Sequence, residues 1–225
     1  MKITCISDLH GEAPDLPGGD LLIVAGDLTG NDSLKGWNGY FKWLKAQNYR
    51  KKVFIAGNHD GFLKSVISTT ESKAMQLWRD EGFEYLFDSG TEFEGLKIWG
   101  APWTPEFCDW HFMLPRGPAL KEKWDLIPND TDILITHGPA YGILDGVARY
   151  KMNIEKVGCE ELRKAVERIK PKLHVFGHLH LDGCQKVLLK NPGYGDENNT
   201  LCVNAAFLDD DYIARPIESI ITVEL

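Results

Sequence analysis

Five short apolar runs, each ending in a turn that pairs glycine with aspartate, asparagine or histidine, constrain this chain more than any other feature. The runs cover residues 2–7, 20–25, 52–56, 132–136 and 172–176, and the turns after them read DLHG, GDLTG, GNHDG, HGP and GHLH. Continuous apolar runs of this length, rich in β-branched residues, are typical of strands buried on both faces. The chain is therefore predicted to be an α/β protein.

The segments between and after these runs complete the predicted fold. Amphipathic stretches at residues 34–47 and 160–169 favour crossover helices. Later runs at 186–189, 201–203 and 217–223 are spaced like antiparallel strands, which indicates a second sheet packed on the first. A length of 225 residues suits one domain, covering residues 1–225. In open α/β sheets the functional crevice lies outside the carboxyl ends of the strands, so we expect the five turns to converge.

The turns carry side chains of the kinds that bind divalent metal ions. They are Asp8, His10, Asp27, Asn58, His59, Asp60, His137, His178 and His180. Carboxylate, amide and imidazole groups are ligands for Mn, Fe or Zn, and no cysteine accompanies them. Seven candidates remain without His59 and Asp60, which is more than one tetrahedral site needs, so two ions are favoured. Two such ions clamp a phosphoryl group and make a hydroxide nucleophile from water at neutral pH.

The order of these motifs resembles that of the calcineurin-like metallophosphoesterases. GAPWTPEF at 100–107, LPRG at 114–117, KWDLIP at 123–128 and KLHVFG at 172–177 are similar to the metallophosphoesterase-domain-containing branch of that family. The resemblance covers nearly the whole chain. It implies two packed mixed β-sheets flanked by helices, in α/β/β/α order, and a metal-dependent phosphoesterase activity.

The resemblance also implies a role for each residue of the turns. It places Asp8, His10, Asp27 and His180 on a first ion, and Asp27, Asn58, His137 and His178 on a second, so that Asp27 bridges the two. The ions would be Mn, Fe, Zn or Mg, with manganese favoured in vitro. His59 would protonate the leaving oxygen or position the phosphate, and Asp60 would orient His59. Some animal members of the branch carry glycine in place of His178, so a fuller two-metal site is predicted here.

Two differences from other phosphoesterases of this fold favour a phosphodiester substrate. Purple acid phosphatases carry a tyrosine where this chain has Gly30, and protein phosphatases carry arginines where it has Thr29 to Asn31 and Ala56. Those arginines hold a monoester dianion through bidentate contacts. We therefore expect a phosphodiesterase acting on small diesters, with 2′,3′- or 3′,5′-cyclic nucleoside monophosphates as the leading class. A phosphomonoesterase, a nuclease and a non-catalytic metal-binding scaffold are the alternatives, and the complete ligand set favours an enzyme.

Two features near the predicted site have competing interpretations. Arg116 is a candidate phosphate contact, with a structural salt bridge as the equal alternative. The aromatic loop of Trp103, Phe107, Trp110 and Phe112 could stack on a base, although a packed lid is the favoured interpretation. His111 and His174 are expected to have structural roles.

Composition limits the partners and the compartment. A net charge of −8 without a basic tract argues against binding long nucleic acid through its phosphates. Five scattered cysteines predict free thiols and a cytoplasmic protein. The chain has neither a signal-peptide pattern nor a run of about 18 apolar residues, so no membrane association is expected. The sequence does not predict the oligomeric state.

Overall fold

Among the described residues, helices separate groups of one to five consecutive strands. The computed structural model describes residues 1–149, 153–190 and 199–225. Its elements are β1 (Lys2–Ile6), β2 (Gly19–Val24), α1 (Leu34–Ala46), β3 (Tyr49–Phe54), α2 (Gly61–Asp80), β4 (Phe83–Tyr85), β5 (Ser89–Phe93), β6 (Leu96–Ala101), β7 (Thr104–Pro105), β8 (Met113–Leu114), α3 (Pro118–Trp124), β9 (Ile133–Thr136), β10 (Gly146–Arg149), β11 (Asn153–Lys156), α4 (Glu160–Ile169), β12 (Leu173–Phe176), β13 (Gln185–Leu189), β14 (Thr200–Asn204) and β15 (Ile221–Glu224).

Two mixed sheets contain most of the strands. The five-stranded sheet has the order β15-β1-β2-β3-β4, with β15 antiparallel to β1 and the other pairs parallel. The six-stranded sheet has the order β13-β14-β12-β9-β6-β5, with antiparallel pairs at its two edges. Strands β7 and β8 form a small parallel pair, and β10 and β11 form an antiparallel pair.

The two sheets share one apolar layer, and helices cover their outer faces. Ile23 of β2 and Ile135 of β9 are both fully buried in the layer between the sheets. The adjacent residue Val24 packs instead with residues of α1, and Leu134 packs with residues of α3 and α4. Successive side chains of a strand point to opposite faces, so each apolar run supplies both layers. The expected α/β/β/α arrangement of two packed mixed sheets is confirmed.

The assignment of strands to sheets differs from the expectation. The first three motif strands, β1 to β3, lie in the five-stranded sheet, whereas β9 and β12 lie in the six-stranded one. The C-terminal strands do not form a second sheet of their own: β14 runs parallel to β12, and β15 joins β1. Apolar runs buried on both faces look alike in either sheet, so they do not encode which strand is the hydrogen-bonded neighbour.

The two predicted helices agree closely with α1 and α4, but α2 was not predicted. The N-terminus of α2 is capped from far along the chain, because the backbone N–H of Phe62 donates to the Asp32 carboxylate at 2.8 Å. The five cysteines are unpaired, as expected. Within the described residues, every helix is too short or too polar to cross a bilayer.

Candidate metal centre

The predicted ligands come together where the two sheets present the carboxyl ends of five strands. The seven side chains follow β1 (Asp8, His10), β2 (Asp27), β3 (Asn58), β9 (His137) and β12 (His178, His180). Strands β1, β2 and β3 are parallel to one another, and so are β9 and β12. The turns that follow the strands of each sheet are therefore neighbours, and the stacking of the sheets joins the two sets.

A first group of ligand atoms is formed by Asp8, His10 and His180, which all lie within 4.8 Å of one another. The Nε2 atom of His180 is 3.3 Å from Oδ1 of Asp8. Oδ1 of Asp8 and Nε2 of His10 are both buried without a hydrogen-bond partner. Buried polar atoms are normally paired, so two unpaired ligand atoms facing one space fit a divalent cation between them.

A second group is formed by Asp27, His137 and His178, also within 4.8 Å of one another. The Nε2 atom of His137 is 3.4 Å from Oδ2 of Asp27 and 2.9 Å from Oδ1 of Asn58. Asp27 also reaches the first group, because its Oδ2 is 3.7 Å from Nε2 of His10. The Asp27 carboxylate therefore lies between the two groups, as a bridging ligand would.

Backbone carbonyls fix the orientation of two of the imidazoles. The Nδ1 atom of His137 is 2.9 Å from the carbonyl oxygen of Ala25, and Nδ1 of His180 is 2.9 Å from that of Asp209. A carbonyl oxygen only accepts, so each Nδ1 carries a proton and directs Nε2 toward the carboxylates. Metal-binding histidines are commonly held in this way by a hydrogen bond from their other nitrogen.

The electrostatics of the site also favour a cation. Burial opposes a charge on Asp27, but His137 and His10 outweigh burial and hold its pKa below the usual range. Burial lowers the pKa of His137, but the Asp27 carboxylate reverses this effect and raises it to about 9. Burial lowers the pKa of His178 to about 4, and His137 contributes. The raised pKa of His137 reflects the negative carboxylate charge that divalent ions would neutralise.

The backbone of the site has a conformation that residues other than glycine rarely adopt. Four of the predicted ligands have positive φ angles: Asp8 (53°), His10 (43°), Asp27 (53°) and His178 (69°). Left-handed backbone is uncommon for residues other than glycine and tends to concentrate at functional sites. The strand-end turns therefore aim their side chains at a common point at some conformational cost.

His59 lies beside the ligand groups, and Asp60 lies beneath them. The backbone N–H of His59 donates to Oδ1 of Asp27 at 2.9 Å, and its ring centroid is 4.9 Å from that of His10. The Asp60 carboxylate accepts from the backbone N–H of Leu28 and from that of Gly57. Asp60 thus ties the turn after β2 to the turn after β3, and its part in orienting His59 stays a prediction.

A cavity of about 630 Å³ opens over five of the predicted ligands, namely His10, Asp27, Asn58, His178 and His180. Arg116 lines it, but Nη1 donates to the carbonyl of Gly158 and to the Glu160 carboxylate, and Nη2 donates to the carbonyl of Val157. These contacts occupy three of the five N–H groups of the guanidinium. A phosphate contact by Arg116 stays a prediction.

The aromatic loop divides into a packed part and an exposed part. Phe112 is buried, and the indole N–H of Trp103 donates to Asp88 at 2.7 Å. Phe107 and Trp110 are 59% and 45% exposed, with ring centroids 5.4 Å from His178 and 4.3 Å from His59. The packed-lid interpretation therefore describes the first pair, and the second pair lies beside the site.

Tyr212 is a residue of this cavity that the sequence did not reveal. Its ring centroid is 5.0 Å from that of His10 and 5.1 Å from that of His180. It lies in the sequence DDDYI, 32 residues after His180, and no motif surrounds it. The antiparallel bridge between Leu208 and Ala214 closes its loop, and the carbonyl of Asp209 in that loop accepts from Nδ1 of His180.

His174 has the structural role expected of it. It is fully buried, and its Nε2 is 2.8 Å from Oγ1 of Thr136, which donates in turn to the carbonyl of Gly138. The Thr136 hydroxyl proton is thus already used, so Nε2 of His174 is the donor. Burial lowers the pKa of His174 to about 3.

Comparison with known proteins identifies the family. The family model described as calcineurin-like phosphoesterase matches residues 1–182. The chain is 36% identical to human metallophosphoesterase domain-containing protein 1 over 246 residues, covering 100% of this chain and 71% of that protein. It is 36% identical over 208 residues to a UPF0046 protein of Caenorhabditis elegans, covering 80% of this chain and 51% of the relative.

The fold comparison agrees with the sequence comparison. The crystal structure of TT1561 of Thermus thermophilus superposes with a TM-score of 0.57 at 17% identity, covering 91% of this chain and 89% of that chain. At this identity the likeness concerns the fold alone. The family model and the human relative together show that this chain belongs to the calcineurin-like metallophosphoesterase family, whose members are metal-dependent phosphoester hydrolases.

Proposed function

We propose that the chain is a phosphodiesterase acting on small phosphodiesters, with 2′,3′- or 3′,5′-cyclic nucleoside monophosphates as the substrate class. The residues proposed to hold the first ion are Asp8, His10, Asp27 and His180, and those for the second are Asp27, Asn58, His137 and His178. Manganese is proposed as the ion that supports activity in vitro, since oxygen and imidazole ligands accept it. When bound, such a pair of ions supplies Lewis-acid stabilisation of the phosphoryl group and acidifies water.

His59 is proposed to protonate the leaving oxygen. Its ring is at the cavity wall, beside both ligand groups, since its ligand atom lies within 4.8 Å of those of His10 and Asp27. The rings of His10 and Trp110 contact it, at 4.9 and 4.3 Å between centroids. These contacts hold the imidazole beside both ligand groups, which supports its proposed role as the proton donor.

The charge of the cavity is the observation that carries the preference for a diester. Among the described residues that line it, Arg116 is the one arginine or lysine, and its three hydrogen bonds already engage it. Glu106 and Asp210 add negative charge to the same lining. A phosphomonoester dianion would meet these carboxylates without a free bidentate arginine, whereas a diester brings one negative charge.

The size and rim of the cavity support a nucleotide. About 630 Å³ lies within the range of small-molecule sites. The exposed ring of Phe107 lines the cavity, and the exposed ring of Trp110 contacts His59, which also lines it, so a base could stack on either ring. The net charge of −8 favours a small substrate over a polyanionic polymer.

Rates on two chromogenic esters test the proposed reaction class. We expect the manganese-loaded protein to cleave bis(p-nitrophenyl) phosphate faster than p-nitrophenyl phosphate, and chelator to abolish both rates. Faster cleavage of the monoester would favour a phosphomonoesterase. No turnover with Mn, Fe, Zn or Mg would favour the scaffold alternative.

A panel of cyclic nucleotides then tests the substrate class. Product analysis by chromatography is expected to show ring opening of 2′,3′- or 3′,5′-cyclic nucleoside monophosphates. Single-stranded oligonucleotides serve as the matched polymer substrate. Cleavage of the oligonucleotides without cleavage of any cyclic nucleotide would favour a nuclease and contradict the proposal.

A further inference from the structure

Three aromatic rings contact the histidines of the candidate metal centre, and each contacts different ones. Phe107 lies against His178, and Trp110 lies against His59. Tyr212 lies against both His10 and His180. Tyr212 is 57% exposed, so burial of its own ring does not explain its position.

The loop that carries Tyr212 is braced by one aspartate. The carbonyl of Asp209 accepts from the backbone N–H of Tyr212 and from Nδ1 of His180, both at 2.9 Å. Its carboxylate Oδ1 accepts from the backbone N–H groups of Asp211 and Ile213. The tyrosine is therefore tied to a proposed metal ligand through a single carbonyl, and its place over the cavity is fixed by its loop.

The position of His59 indicates which part of a substrate would lie next to Tyr212. A proton donor must lie next to the leaving oxygen, so the leaving group occupies the side of the cavity near His59. Trp110 contacts His59 directly, and Tyr212 covers His10, whose ring contacts His59. Phe107 lies against His178, which belongs to the other ligand group.

We propose that Tyr212 is a specificity-determining residue whose ring stacks on the base of a nucleotide, on the leaving-group side of the cavity, next to His59. The inference deepens the proposed function and rests on it, since it presupposes a substrate with a base. Stacking requires only the ring of Tyr212. A phenylalanine at this position is therefore expected to serve as well as the tyrosine.

Steady-state kinetics of Tyr212→Ala and Tyr212→Phe test the proposal. The two substrates are the cyclic nucleotide that the wild type cleaves best and the cyclic phosphate of a base-free ribose methyl glycoside. The loss of stacking in Tyr212→Ala is expected to raise KM for the nucleotide about 5- to 100-fold, with kcat within about 2-fold. KM for the base-free substrate is expected to stay unchanged, and Tyr212→Phe to keep the wild-type values.

A binding measurement and a control complete the design. Calorimetric titration of the manganese-loaded protein with a nucleoside monophosphate is expected to show the same loss of affinity in Tyr212→Ala, without turnover. Tyr141→Ala is the matched control, because Tyr141 is 42% exposed and lies outside the residues that line the cavity.

Each other outcome overturns the proposal in a distinguishable way. An equal rise of KM for both substrates would show that Tyr212 shapes the site without contacting a base. Unchanged KM values in Tyr212→Ala would remove Tyr212 from the subsite and leave the proposed function standing. Failure of the wild type to cleave any cyclic nucleotide would refute the proposed substrate class, and the Tyr212 proposal with it.

Discussion

Replacing Gly177 with alanine is expected to damage the metal centre without changing any ligand. A Cβ atom at this position would lie 2.1 Å from Oδ2 of Asp8 and 2.3 Å from Oγ of Ser7. The same Asp8 oxygen accepts the backbone N–H of His178 at 2.9 Å. Alanine must therefore push the Asp8 carboxylate away and break a hydrogen bond between two ligand-bearing turns.

The size of the effect follows from these two contacts. Overpacking of a tight site typically costs about 1–3 kcal/mol. Loss of a hydrogen bond to a buried carboxylate adds about 1.5–3 kcal/mol. The two contributions sum to about 2.5–6 kcal/mol, which corresponds to a fall in Tm of roughly 5–24 °C for a protein of this size. Because Asp8 also loses the bond that orients it, we expect manganese affinity to fall about 10- to 100-fold.

The assay pairs thermal unfolding of the metal-free protein with a manganese titration. Gly39→Ala is the matched control, since a Cβ at Gly39 in α1 meets no atom within 4 Å. That variant is expected to keep its metal affinity and to gain about 0.5–1 kcal/mol of stability. A Gly177→Ala protein with wild-type Tm and wild-type manganese affinity would refute the packing described at Asp8.

Three further predictions address individual histidines. His59→Gln is expected to lower kcat on the diester about 10²- to 10⁴-fold while metal content, measured by mass spectrometry, stays unchanged; unchanged kcat would exclude His59 as the proton donor. His178→Gly is expected to leave about one manganese ion per chain in place of two, and unchanged metal content and turnover would contradict its assignment as a ligand. His174 has a folded-state pKa of about 3, below the usual 6.5, so as the pH falls its imidazole takes up a proton in the unfolded chain before it does so in the folded one. The free energy of unfolding therefore decreases as the pH drops below about 6.5. His174 contributes about 1.4 kcal/mol per pH unit to the change of the free energy of unfolding with pH. Urea unfolding between pH 6 and 5 should therefore show a pH dependence smaller by that amount in His174→Phe than in the wild type. An equal pH dependence in the two proteins would show that His174 is not its source.

Much of the site could be predicted from the sequence because the residues that define it lie close together along the chain. Each ligand follows an apolar run within a few residues, and parallel strands place such turns at one edge of a sheet. The bounds of α4 were predictable for a similar reason, since its apolar residues repeat at helical spacing. These features depend only on residues that are close to one another in the sequence.

The features that the sequence did not reveal depend on distant contacts. The N-terminus of α2 is capped by Asp32, and the Tyr212 loop is fixed by Asp209 through a bond to His180. The division of the motif strands between two sheets depends on which backbone edges pair, for example β9 with β12. The role of Asp60 was also hidden, because its partners are the backbone N–H groups of Leu28 and Gly57. None of these pairings leaves a periodic pattern in the chain.

Anomalous X-ray scattering at the manganese edge, from crystals grown with manganese, tests the central claim most directly. The claim is that seven strand-end side chains hold two ions bridged by Asp27. Two peaks are expected, roughly 3.5–4 Å apart. One should lie among Asp8, His10 and His180, and the other among Asn58, His137 and His178. A single peak that excludes one of these groups, or no peak at the strand ends, would contradict the two-metal account.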